Sequence, residues 1–249
     1  MELKDKKVIV TGGARGIGRS LVEQLFNEDA IVGIFDIDRE QFKEIKETYP
    51  NVLCIECDAT NPDQVEASVE TFCEQFGKID ILVNNAGILY SAPLVSFSEN
   101  GLKKHDTRMW DKVISTDLNS VFYMTVSVVE KMLLKRTKGV IVNISSVSAS
   151  GNAGQSAYSA AKAGVNALTA TWAKELSPMG IRVVGIAPGY TNTESTQTVM
   201  NEKVLKDIVK KVPMRRLGKA DEIVKSILHV IENDFFNGKI IEIDGGLII

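Results

Sequence analysis

The sequence predicts an α/β fold in which a doubly wound, seven-stranded parallel sheet carries helices on both faces, with residues 1–249 forming one domain. Three observations predict it. Seven short apolar runs rich in β-branched residues alternate with segments of helical period, the pattern of a mainly parallel sheet whose right-handed crossovers place helices on both sides. The first run opens into a glycine-rich junction followed by a helical pattern. Finally, 249 residues, 44% hydrophobic and 24% charged, have the size and proportions of a globular chain with a substantial core.

The first run, Lys7 to Thr11, leads into Gly12-Gly13-Ala14-Arg15-Gly16-Ile17-Gly18 and then a helix through Leu21, Val22 and Leu25. Glycines at such a junction let the backbone turn sharply and approach a ligand, while the free N–H groups and positive end of the helix attract phosphate. A dinucleotide pyrophosphate fits that description, although the spacing Gly12, Gly16, Gly18 departs from G-x-G-x-x-G. The second run, Ala30 to Phe35, ends at Asp36. A carboxylate there accepts hydrogen bonds from ribose hydroxyls and repels a 2′-phosphate, which argues for NAD. Arg15 in the glycine loop argues the other way, so NADP stays open as the alternative.

The third run, Val52 to Cys57, is followed by Asp58, and the fourth, Ile79 to Asn84, by Asn85-Ala86-Gly87. Cys54 and Cys57 have C-x-x-C spacing, but they lie in a strand-like run and no second Cys/His pair completes a zinc site. They read as strand thiols, and no metal is expected. The fifth run, Gly139 to Ile144, precedes Ser145-Ser146; the sixth, Ile181 to Ala187, precedes Pro188-Gly189; the seventh is Lys239 to Ile243. Ligands of such sheets sit beyond the carboxyl ends of the strands, so these following groups should gather on one edge. The long stretches 88–107 and 189–198 read as irregular and are candidate lids or substrate loops.

Between the fifth and sixth runs, Tyr158 and Lys162 stand four residues apart. Residues at i and i+4 share a helical face, so the ammonium sits beside the phenol. A phenol with pKa near 10 is a poor base at neutral pH, and a nearby cation favours the phenolate. The pair is an acid/base device.

Charge and hydropathy exclude other classes. The net charge of −3 and the dispersed Lys and Arg leave no footprint for nucleic acid. No apolar run reaches membrane-spanning length and no apolar leader follows Met1, so the expected location is the cytoplasm.

Six motifs in order, Thr11 to Gly18, Asn84 to Gly87, Ile144-Ser145-Ser146, Tyr158 to Lys162, Pro188-Gly189 and Asp244-Gly245-Gly246, make the whole chain resemble the classical short-chain dehydrogenase/reductases, which have a single-domain Rossmann fold. Gly154-Gln155 and Ile243 to Leu247 point to the branch of 3-oxoacyl-ACP and acetoacetyl-CoA reductases. The resemblance implies an NAD(P)-dependent enzyme interconverting a ketone and a secondary alcohol. Its substrate would be a 3-oxoacyl thioester, or alternatively a polyol, steroid or other small alcohol. A nucleotide-sensing protein without turnover is the reading from another class.

By the same resemblance Tyr158 exchanges the proton, Lys162 lowers its pKa and holds the nicotinamide ribose, and a serine holds the substrate oxygen. Ser146 is preferred over Ser145: it matches the strand motif, although it lies one residue closer to Tyr158 than is common in the family. A one-residue deletion in a loop is easier than a register slip in a buried strand. The fourth catalytic position, usually asparagine, is Asp117, and Asn119 is a poor stand-in because residues two apart point to different faces of a helix. Asp58 with Ala59 would meet adenine, Asn85, Ala86 and Gly87 the adenosine ribose side, and Pro188, Gly189, Thr191 and Thr193 the nicotinamide end. A homotetramer is implied as well. Arg136 matches a basic position that meets an acidic acyl carrier protein, but Met179 stands where another is expected, which speaks against carrier delivery.

Overall fold

The computed structural model describes residues 1–98, 101–199 and 202–247. In chain order its elements are β1 (Lys7–Thr11), α1 (Gly16–Asn27), β2 (Ile31–Asp36), α2 (Phe42–Thr48), β3 (Leu53–Glu56), α3 (Pro62–Phe76) and β4 (Ile81–Asn84). There follow β5 (Val95–Ser98), β6 (Gly101–Lys104), α4 (Thr107–Ile114), α5 (Ser120–Leu134), β7 (Val140–Ile144) and α6 (Ser156–Leu176). The chain continues through β8 (Arg182–Pro188), α7 (Glu194–Val199), α8 (Glu202–Lys211), α9 (Ala220–Glu232) and β9 (Ile240–Ile243).

The seven predicted runs form one sheet in the order β3-β2-β1-β4-β7-β8-β9, with every pair parallel. β1 lies between β2 and β4, so the winding reverses there and a crevice opens at the strands' carboxyl ends. The sheet is covered on both faces, and the period of two along each strand divides the core. Val8 and Val10 pack with Leu21 and Leu25 of α1 and Ile223 and Ile227 of α9. Ile9 faces the other way, packing with Phe72 of α3, Met124 and Val128 of α5 and Trp172 of α6. Among the described residues no helix is long and apolar enough to cross a membrane.

The stretch 88–107, expected to be irregular, contains an antiparallel hairpin instead. Val95 pairs with Lys104 and Phe97 with Leu102, which places these four side chains on one face. The hairpin projects from the body: Phe97 is 93% exposed and Leu102 67%. Its root is fixed, since the Ala92 N–H donates to the Gly154 carbonyl (2.7 Å) and the His105 N–H to the Leu94 carbonyl (2.9 Å). Glu99 and Asn100, within the stretch 88–107, lie outside the described residues. The second expected loop, 189–198, runs into α7.

Candidate active site

A cleft of about 940 Å³ runs along the carboxyl ends of β1, β2, β4, β7 and β8, near the upper end of the roughly 300–1,000 Å³ usual for cofactor sites. Every residue predicted for the site lines it except Gly18. Gly18 serves the loop from behind. A Cβ on it would stand 2.1 Å from the Gly12 carbonyl oxygen and 2.6 Å from Asn85 Nδ2, so only glycine lets α1 start this close to β1.

The same crowding shows what Asn85 does. Its Nδ2 donates to the carbonyls of Thr11 (3.0 Å) and Gly12 (2.9 Å), while Thr11 Oγ1 accepts from the Asn85 and Ala86 N–H groups (3.0 Å each). The side chain of Asn85 therefore braces the glycine loop, leaving the Ala86-Gly87 backbone as the cleft wall. Beneath it, Asn84 Nδ2 donates to Asn143 Oδ1 (2.9 Å) and Thr125 Oγ1 (3.0 Å), and Asn143 Nδ2 to Thr169 Oγ1 (2.9 Å). This buried chain of amides and hydroxyls locks β4, β7, α5 and α6 together below the cleft.

At the other end, no side chain caps the first turn of α1, and no acidic residue stands in it. The helix N-terminus thus faces the cleft with its positive end available to a pyrophosphate. Asp36 at the end of β2 accepts from the Ala14 N–H (2.9 Å) and the Asp38 N–H (3.0 Å). Asp38 also reaches the cleft and pairs with Arg15, whose Nη1 lies 3.5 Å from Glu194 Oε2. Two carboxylates therefore flank the only cation the sequence offered for a 2′-phosphate. Asp58 Oδ1 is held by the Thr60 N–H (2.9 Å) and hydroxyl (2.7 Å) beside the same end.

At the end of the cleft beside β7, Tyr158 and Lys162 rise on one face of α6, with the ammonium 5.6 Å from the ring centroid. Lys162 Nζ donates to the Ile144 carbonyl (3.1 Å) and lies 3.3 Å from Asp117 Oδ2. Asp117 is fully buried in a π-helical turn, Ser115–Asn119, and its Oδ1 accepts from the Ile88 N–H (2.8 Å). The two serines part company. Ser145 Oγ donates to the Lys162 carbonyl (3.3 Å), whereas the Ser146 hydroxyl accepts from the Ser148 N–H (3.2 Å) and also acts on the Tyr158 phenol.

Burial raises the Tyr158 pKa; Lys162 and the Ser146 hydroxyl lower it, and Asp117 and Tyr190 add to the rise. Tyr158 is half-buried and lines the cleft. Burial works against the charge on Lys162, but Asp117 and Tyr158 hold its pKa above the ordinary lysine value.

Sequence reasoning missed Asp38, Lys112, Gln155 and Tyr190, which also line the cleft. Tyr190 directly follows Pro188-Gly189, and its Oη accepts from Asn152 Nδ2 (2.9 Å); its place beside the strand-end motif was the available signal. Asn119 does not line the cleft.

The sequence profile of the family described as short chain dehydrogenase matches residues 6–204. The 3-oxoacyl-[acyl-carrier-protein] reductase FabG of Thermotoga maritima is 39% identical over 256 residues, covering 100% of both chains. That of Buchnera aphidicola subsp. Baizongia pistaciae is 36% identical, covering 99% of each. A solved structure titled as that of gox2181 superposes with a TM-score of 0.89 at 31% identity, covering 98% of this chain and 97% of the other.

Proposed function

This chain belongs to the short chain dehydrogenase family and is an oxidoreductase acting on CH–OH groups, and from that premise we propose that it reduces a 3-oxoacyl thioester to the 3-hydroxyacyl thioester with NADH. The observation that carries the reading is the meeting of Tyr158, Lys162 and Ser146 at one end of a dinucleotide-sized cleft. When bound, the nicotinamide cofactor supplies or accepts the hydride. The glycine loop and the α1 N-terminus would hold its pyrophosphate, Asp36 its adenosine ribose, and Lys162 with Thr191 and Thr193 its nicotinamide end.

Within this reading Ser146 holds the substrate oxygen and Tyr158 donates a proton to it as charge develops there. The orientation of Ser145 toward the α6 backbone supports Ser146 for that task. Lys162, fixed by the Ile144 carbonyl and Asp117, keeps its ammonium against the phenol. Residues from β1 through the turn after β8 line the cleft, so residues 1–249 are taken as one functional domain, acting as a cytoplasmic homotetramer on the strength of the family resemblance.

The preference for NADH rests on Asp36 and Asp38 together, with Arg15 already engaged by Asp38 and Glu194. The curated relatives are named for substrates on acyl carrier protein. Met179, 44% exposed where a basic residue would meet that acidic partner, favours a free or CoA-linked thioester here. Oxidation of NADH and NADPH with acetoacetyl-CoA and with acetoacetyl-carrier protein tests all three points. The expected order is NADH over NADPH and CoA at least equal to carrier. NADPH preference with carrier dependence would return the chain to the pattern its relatives' names describe. Binding of NADH without turnover of either thioester would favour the small-alcohol dehydrogenase reading.

A further inference from the structure

We propose that Asp117 is the buried counter-ion of Lys162, leaving the catalytic end of the cleft electrically neutral and holding Tyr158 in its phenol form. Asp117 is fully buried, the Lys162 side chain is 4% exposed, and the two stand 3.3 Å apart. Oδ1 of the carboxylate accepts from the Ile88 N–H, while among the described residues Oδ2 meets no donor other than the facing ammonium.

The backbone makes room for this pair. A Cβ on Gly87 would stand 2.9 Å from Asp117 Oδ2 and 3.4 Å from Lys162 Nζ, so glycine at 87 is what lets carboxylate and ammonium share one pocket wall. A lone charge so deeply buried is strongly penalised. One proton distributed over the two groups leaves the pair uncharged whichever of them holds it, and their titration belongs to the pair.

The consequence falls on Tyr158. The groups facing its phenol are Lys162 from α6, Asp117 from the π turn, Ser146 after β7 and Tyr190 after β8, and Lys112 of α4 lines the same cleft. Lys162 alone would draw the phenol toward phenolate; Asp117 beside it opposes that pull. A phenol that keeps its proton is a competent proton donor to a carbonyl over a wider alkaline range, and a poor base for the reverse reaction until the pH is high. A neutral site also opposes the positively charged oxidised nicotinamide less than a cationic one does. This last consequence rests on the proposed function; the state of the phenol does not.

The test uses Asp117→Asn, which keeps an acceptor for the Ile88 N–H. The Tyr158 titration is read in the cofactor-free protein as the tyrosinate absorbance lost in a Tyr158→Phe background. The asparagine variant should move the midpoint down by about one pH unit or more. Its affinity for NAD⁺ relative to NADH, read by fluorescence titration, should fall by about tenfold, the equivalent of one unit. An unmoved midpoint would mean that Asp117 carries its own proton beside a charged lysine, and no titration below the unfolding limit in either protein would mean that burial rather than Asp117 keeps the phenol protonated; either would overturn the proposal. Should the asparagine variant not fold, Asp117→Ser is read in the same way. Because the titration needs neither substrate nor turnover, a shifted phenol in a protein inactive on thioesters would sink only the assigned reaction. An active enzyme with an unmoved phenol would sink only the counter-ion.

Discussion

Tyr158 is the residue on which the proposed chemistry turns, and its surroundings separate its task from cofactor binding. Lys162 is held by the Ile144 carbonyl and Asp117, with no hydrogen bond to the phenol. Tyr158→Phe should therefore lower kcat by about 10²–10⁴-fold, the range for losing a positioned acid/base, while leaving the Kd for NADH within about twofold, a change of less than half a kcal/mol. Stopped assays and fluorescence titration of one preparation check both halves, and retained turnover would remove Tyr158 from the mechanism. The tyrosine and lysine were legible because their partnership is local, four residues along one helix. Arg15 was ambiguous for the opposite reason. Its partners, Asp38 and Glu194, lie 23 and 179 residues away in sequence, and no local pattern announces that a loop cation is already engaged.

At the scale of elements, the junction of β1, the glycine loop and α1 depends on close approach rather than on a ligand. Gly18→Ala would drive a methyl group into the Gly12 carbonyl and the Asn85 amide. Both belong to the bracing contacts between β1 and β4, so the clash has no flexible side chain to displace. The variant should lose about 1–3 kcal/mol of stability, the usual effect of overpacking, and bind NADH much more weakly. Thermal melts with and without NADH measure the two effects, and an unchanged melt would show that the loop relaxes more freely than its contacts imply. The sheet itself was readable throughout: its central strands are buried on both faces and their apolar runs are continuous, as β4 (Ile-Leu-Val-Asn) illustrates, and the half-buried edge strands β3 and β9 keep short apolar runs of their own. The hairpin of β5 and β6 was not. Its alternation spans four residues a strand, its apolar side chains are left exposed, and Lys103 and Lys104 give it the look of a solvated loop. The π turn carrying Asp117 was equally silent, because a single wide turn leaves no period to read.

For the whole molecule, the question is what covers the apolar surface that folding leaves open. Phe122, Val126 and Leu133 of α5 are 45%, 53% and 40% exposed, and they recur at i, i+4 and i+11, which is one stripe of the helix. The Phe122 ring lies 6.4 Å from that of Trp172 on α6, a buried core residue, so the stripe is backed by the packed core. The opposite face of α5 already packs Val121, Met124 and Val128 into the core, so α5 is apolar on both sides, as an element buried between two bodies should be. Self-association through α5 is the expectation this stripe raises, in line with the homotetramer proposed from the family resemblance. Sedimentation of the purified chain should give a species of four chains, and Val126→Asp should shift it to smaller ones. The cleft is lined from within one chain, so NADH binding should survive that split even if the melting temperature falls. A monomer in the unmodified protein would leave the stripe without an owner and end the tetramer reading. If instead the chains separate and NADH binding is lost with them, α6 is the element to blame. It carries Tyr158 and Lys162 near its start and, further along the same buried face, Trp172, whose ring meets Phe122 of the stripe, so the interface would then be holding the proposed catalytic pair in place.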